Sequence, residues 1–207
     1  MGVSPVAILC NGHSLLDHAK LSLLQKIPCE TIGINASWEV LTSSCHVMID
    51  PLQWERYTRI TGNNPSAIPN LYTGPIGPKS AIHINILDTV EPKFSFNVTE
   101  FGAWLCGSVA WVALQVAVSM RKSPIYFFGL DLQPRWVAGE LRGKFWGGIW
   151  DTHAEARQRE LFGYARGLLG HSGIEIINVV INQNDTKCQA FPKRTFAQCF
   201  PQEMNNP

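Results

Sequence analysis

Asn11, Asn35, Asp50 and Asp131 each stand directly after a short apolar run, PVAILC, TIGI, CHVMI and IYFFGL respectively. Runs rich in branched and aromatic residues that end in a polar residue read as buried strands. In an open parallel sheet, ligands sit outside the carboxyl ends of the strands. Two carboxamides and two carboxylates at such ends can converge on one edge, where they can donate and accept hydrogen bonds or take a proton. Turns also favour Asn and Asp, and Asp131 alone fits a helix cap as well as a ligand contact. The recurrence is what points to a site.

The loop after the first run is Asn11-Gly12-His13-Ser14, and an apolar helix follows with Leu15, Leu16, Leu21, Leu23 and Leu24. Asp17 stands three residues after Ser14, the spacing of a capping box. A strand, tight loop and helix aim backbone N–H groups and the positive end of the helix at whatever lies above the sheet, which suits a phosphate or carboxylate. His13 is placed to touch such an anion. A second helix opens at Asp151-Thr152 with Glu155 at capping-box spacing, and its first turn holds His153. The positive helix end disfavours imidazolium, so His153 is expected to stay neutral and to serve as a general base. His171, in the loop before the last strand, is the alternative base, and His13 the third.

Between Asp131 and that helix lies LQPRWVAGELRGKFWGGIWD, with no helical or strand period. A structureless loop of this length beside a site suggests a lid over 132–150. Gln133 belongs to the donor side of the site. Arg135, Arg142 and Lys144 interleave with Trp136, Phe145, Trp146 and Trp150, and cations among aromatics suit sugar faces, nucleobases or phosphates.

The elements that must position these residues follow from the pattern. Strands are expected near 5–10, 31–34, 45–49, 125–129 and 174–179, with further short ones over 68–72 and 81–87. Phe101 to Met120 carries no charge and is apolar on all sides of a helical wheel, so it reads as a central helix that contains Gly107 and Ser108. Arg121, Lys122 and Pro124 close it. Gly, Ser and Gln within the segment, and the absence of a linker to the next strand, argue against a membrane span. The fold expected is one α/β domain, Rossmann-like and doubly wound, with a mostly parallel sheet over residues 1–180. Residues 181–207 are expected to wrap its surface.

With 207 residues, 45% apolar and 16% charged, the chain suits one globular domain, and its net charge of +1 gives no support to broad nucleic-acid binding. Six cysteines without a CxxC pair or paired histidines encode neither a zinc site nor a redox motif. They point to a reducing, cytoplasmic compartment, and the apolar start reads as a first strand, not a signal peptide.

The ordered set of CNGHSL at 10–15, the Asn of GINAS at 35, Gly107-Ser108 and IYFFGLD at 125–131 resembles the small bacterial sialyltransferases of the lipooligosaccharide type. It also resembles the related motility-accessory and pterin-diphosphokinase-like proteins with a Rossmann-like core of GT-A-like form. His153 is the closest match to that family's general base. The family's GNGPS Pro is replaced by His13, its S-G pair is reversed, and its donor-phosphate tyrosines are not evident after Asp131. The resemblance implies a metal-independent glycosyltransferase without a cofactor, using a CMP- or UDP-linked sugar and a hydroxyl acceptor. Asn11, Gly12, Ser14, Asn35 and Ser108 would hold the nucleotide leaving group. The acceptor is a glycan or a hydroxymethylated base in DNA, and self-association is a further partner class. The alternatives are a pterin-type diphosphokinase, which would need ATP and Mg²⁺, and a non-catalytic nucleotide-binding module.

Overall fold

Four residues, Val6 to Leu9, are wholly buried on both faces of a strand, and the remaining strands are ranked around them. The computed structural model describes residues 3–63, 68, 70–74, 78–89, 91–138, 140–142, 144, 152–184 and 186–204. In chain order these contain β1 (Val6–Leu9), α1 (His13–Lys20), β2 (Glu30–Ile34), β3 (Cys45–Val47), α2 (Pro51–Thr61) and β4 (Leu71–Thr73). Then come β5 (Ile82–His83), β6 (Ile86–Leu87), α3 (Val98–Phe101), β7 (Ala103–Trp104), α4 (Val109–Ser119) and β8 (Ile125–Phe128). The last are β9 (Arg135–Val137), β10 (Glu140–Arg142), α5 (Thr152–Leu169), β11 (Ile176–Val179), β12 (Lys193–Arg194) and α6 (Phe196–Cys199).

Eight strands form one sheet in the order β12-β11-β8-β1-β2-β3-β4-β5, and every neighbouring pair is parallel. The chain first builds outward from β1 to β5, then crosses back to β8 and builds the other way. The strand order therefore reverses between β1 and β8, which in a doubly wound sheet opens a crevice at the carboxyl ends. Alternate residues of each strand enter separate cores, as the two-residue period of a strand requires. Val6, Ile8, Phe127 and Ile176 pack with α4 and α5 residues such as Trp111, Leu114 and Phe162. Ala7, Leu9, Phe128 and Val179 pack on the other face with Leu15, Phe196 and Phe200. The doubly wound α/β fold is thus the one expected.

Three boundaries differ from expectation. The central helix begins at Val109, not at Phe101: Gly102, Cys106 and Gly107 take left-handed φ of 78°, 46° and 76°, so the chain makes β7 and a turn first. Buried Gln115 fixes that detour, its Oε1 accepting from the Ser95 and Trp104 amides and its Nε2 donating to the Trp104 carbonyl. The stretch over 81–87 divides into β5 in the main sheet and β6, which pairs with β7. Residues 181–204 do more than wrap the surface. β12 adds an edge strand, and Cys188, Phe191, Phe196 and Phe200 are buried.

Candidate functional site

A cavity of about 350 Å³ opens at the point where the strand order reverses. Its walls are the strand-end segments Cys10–Gly12, Ile34–Asn35 and Gly129–Gln133, the start of α4 from Gly107 to Ala110, and Lys144, Glu155 and Gln158. Its size lies in the range of small-molecule sites. Seven residues expected on the donor side line it together: Asn11, Gly12, Asn35, Gly107, Ser108, Asp131 and Gln133.

The chemistry of Asp131 is mostly internal. One carboxylate oxygen accepts the Ser14 N–H at 2.9 Å, and the other accepts the Ser14 hydroxyl. The carboxylate thus satisfies the positive end of α1, an arrangement that helix-terminal N–H groups and the macrodipole both favour. Gly12 permits the approach, because a Cβ there would sit 2.6 Å from Asp131 Cγ and against the Gly129 carbonyl. The N-terminus of α1, expected to meet a ligand phosphate, is therefore occupied by a side chain of the protein. Ser14 does not line the cavity. His13 does not either: it is buried, and its Nε2–H donates to the Arg142 carbonyl at 3.2 Å. Burial lowers the His13 pKa, against that carbonyl, which favours the charged form.

The start of α4 differs from that of α1. Ser108 occupies its N-cap position with no side-chain cap bond, and as the first helical residues Val109 and Ala110 have no intrahelical carbonyl for their N–H groups. Both residues line the cavity. Asn11 and Asn35 face the same space with exposures of only 7% and 8%, and their carboxamide oxygens are buried without a hydrogen bond. Buried polar atoms are nearly always paired, so two orphans on residues that line one cavity point to a ligand's donors.

Asn35 is held in place from below. Its φ of 44° is left-handed, which Asn tolerates better than most residues. The His46 Nε2–H donates to the Asn35 carbonyl at 2.8 Å, while His46 Nδ1 and Ser43 Oγ lie 3.1 Å apart. Burial lowers the His46 pKa to about 4, so the ring is neutral and can play both parts.

Two polar wall residues, Glu155 and Gln158, were not assigned to the site from sequence. Glu155 is 7% exposed, with its Oε1 3.1 Å from Arg159 Nη1 and 3.8 Å from Lys187 Nζ, and it shares a face of α5 with Gln158. Lys144, one of the cations read in the lid loop, also lines the cavity; desolvation lowers its pKa and the Asp50 carboxylate opposes the shift. A signal for Glu155 existed: it precedes Phe162 by seven residues, so both lie on the core-facing stripe of one helix.

Other expected residues lie elsewhere. Asp50 caps α2 by accepting the Leu52 N–H at 2.9 Å and is not on the cavity wall. His153 is in the first turn of α5 but is exposed and off the wall. His171 follows the far end of this helix of 18 residues, about 27 Å away by helical rise. That puts it at the amino end of the sheet, so it is not a base for this cavity. The described part of 132–150 is not structureless: β9 and β10 form an antiparallel hairpin tied to α1 by Arg135 on Asp17 at 2.6 Å. Trp136 contributes its backbone to β9, while its side chain, Trp146 and Trp150 lie outside the described residues. Among the described residues no group of three or more His, Cys, Asp or Glu is placed to hold a metal ion, and no helix is long and apolar enough to cross a membrane.

Comparison of the chain with protein-family models, with curated proteins and with solved structures gives no match.

Proposed function

We propose that the cavity holds the nucleotide part of an activated sugar and that the protein transfers the sugar to a hydroxyl acceptor. One observation carries this reading: the residues with the uncapped amides of α4, Val109 and Ala110, and those with the unpaired carboxamide oxygens, Asn11 and Asn35, line one cavity. Such a site asks for an anion at one end and hydrogen-bond donors at the other, as a nucleoside monophosphate supplies with its phosphate and its ribose or base. Lys144 adds a positive charge to the wall. In the reaction the acceptor oxygen attacks the anomeric carbon while the bond from that carbon to the phosphate oxygen breaks. The electron pair leaves on the phosphate, where the amides of α4 and Lys144 stabilise it. Glu155 receives the hydroxyl proton, because it is the carboxylate on α5 that borders the cavity, and His153 is not on the wall. A glycan acceptor is favoured over a flipped DNA base, since a net charge of +1 offers little hold on duplex DNA.

Thermal unfolding in the presence of CMP, UDP or ATP, each with and without Mg²⁺, tests the assignment. A ligand at about 100 times its Kd stabilises by about 2.7 kcal/mol, or about 5–10 °C for a domain of this size. Stabilisation by CMP or UDP without Mg²⁺ is expected. A response to ATP with Mg²⁺ alone replaces transfer with a diphosphokinase, and no response to any of them overturns nucleotide binding.

A further inference from the structure

A second groove, of about 470 Å³, runs along α5 beyond Glu155 and is lined by Arg159, Gly163, Arg166, Lys187, Gln189 and Ala190. Arg159, Gly163 and Arg166 are four and three residues apart, which places them on one stripe of the helix. Lys187 faces them from the segment before β12. That segment is fixed in place: the Lys187 N–H donates to the Asp131 carbonyl at 2.7 Å, and Thr186 Oγ1 lies 2.6 Å from the Leu130 carbonyl. Among the described residues the one carboxylate in ion-pair range of these cations is Glu155, which reaches Arg159 and Lys187 and leaves Arg166 without an acidic partner. Three cations against one carboxylate leave the groove positive in a protein of near-zero net charge. The space above Gly163 is open, since a Cβ there would meet nothing within 4 Å, so a large side chain at this position would project into it.

Glu155 joins this groove to the switch-point cavity, since it lines the cavity and pairs with cations that line the groove. From Gln158, on the cavity wall, to Arg166 is about 12 Å along the helix, a distance that an oligosaccharide can span. We infer that the groove is an acceptor subsite that seats a fixed negative charge, a phosphate or carboxylate carried by the acceptor. The inference rests on the transfer reading above. It adds that the acceptor is acidic and lies along α5 with its hydroxyl toward Glu155. Arginine suits this task because its planar guanidinium pairs with two oxygens of either anion.

The test uses glucose 6-phosphate, glucuronate and glucose as probes in calorimetric titrations of the wild type, Arg166→Glu and Gly163→Leu. Arg166 and Gly163 are exposed on a helix, so neither change disturbs the core. The wild type is expected to bind at least one charged probe at least tenfold more tightly than glucose, and less so in high salt. Both variants are expected to lose that preference, Arg166→Glu by charge reversal and Gly163→Leu by filling that space. Which charged probe binds identifies the anion as phosphate or carboxylate. Equal binding of charged and neutral probes, or undiminished binding by both variants, overturns the subsite. CMP titrated into the same variants keeps the two readings apart. Unchanged CMP affinity with lost probe binding supports the subsite, whereas probe binding that saturating CMP abolishes in the wild type assigns the anion to the nucleotide site and overturns it.

Discussion

Acidification should loosen the protein through His46. Its ring is neutral in the folded state, with a pKa of about 4 against the ordinary 6.5 of a histidine in the unfolded chain. Between these values the unfolded chain binds more protons than the folded one, so stability falls as pH falls, beginning near 6.5 and levelling off below 4. The two values imply a loss from this residue of about 2 kcal/mol at pH 5 and about 3 kcal/mol at pH 4. The cause is local: protonation would put a positive charge in a site that burial has stripped of water, a cost that the bond to the Asn35 carbonyl offsets only in part. Urea unfolding followed at pH 7, 6, 5 and 4 measures it, with His46→Gln as reference. Glutamine can donate to the Asn35 carbonyl but does not titrate, so the variant is expected to lack this share of the acid dependence whatever its stability at pH 7. Parallel pH profiles for the two proteins would refute the argument. A steeper profile for the variant would refute it as well.

Asp131→Asn should lower stability by about 2 kcal/mol, the weight of charged hydrogen bonds at a helix terminus, and the melting temperature by about 4–8 °C. Unchanged stability with weakened nucleotide binding would instead give the carboxylate to the ligand. Asn35→Gly keeps the left-handed backbone and removes the orphan carboxamide, so CMP affinity should fall about tenfold while stability drops by no more than about 1 kcal/mol. Calorimetric titration beside a urea curve separates the two effects. Glu155→Gln should reduce turnover by about 10²–10⁴-fold with CMP binding retained, and His153→Ala should stay near the wild-type rate. The reverse pattern in a transfer assay restores His153 as the base.

The strand ends were legible because each buried strand is a nearly unbroken apolar run that stops at a polar residue, and a parallel sheet brings such ends to one edge. Asn11, Asn35 and Asp131 reach the cavity on that logic alone. Asp50 fails by the same logic, since a strand end that feeds a helix also needs a cap, and it serves that need. The start of α4 was hidden because apolar residues continue across it; left-handed glycines and the remote bonds of Gln115 set the boundary. His46 looked like an ordinary strand residue, and its bond to Asn35 joins neighbouring strands that only the fold aligns. Glu155 was read as a cap because its spacing from Thr152 explained it locally, although its seven-residue spacing from Phe162 put it on the buried stripe of α5. The last segment had too few apolar residues, too irregularly spaced, to show that Phe191 and Phe200 complete the two cores.

The central claim is that a nucleotide phosphate rests on the first amides of α4, and a crystal structure with CMP or UDP bound tests it most directly. The account predicts phosphate oxygens about 2.7–3.2 Å from the Val109 and Ala110 nitrogens, with the Asn11 and Asn35 carboxamide oxygens accepting from the ribose or base. A phosphate at the start of α1 displacing Asp131, a phosphate in the Arg159–Arg166 groove, or an empty cavity at saturating nucleotide would contradict it.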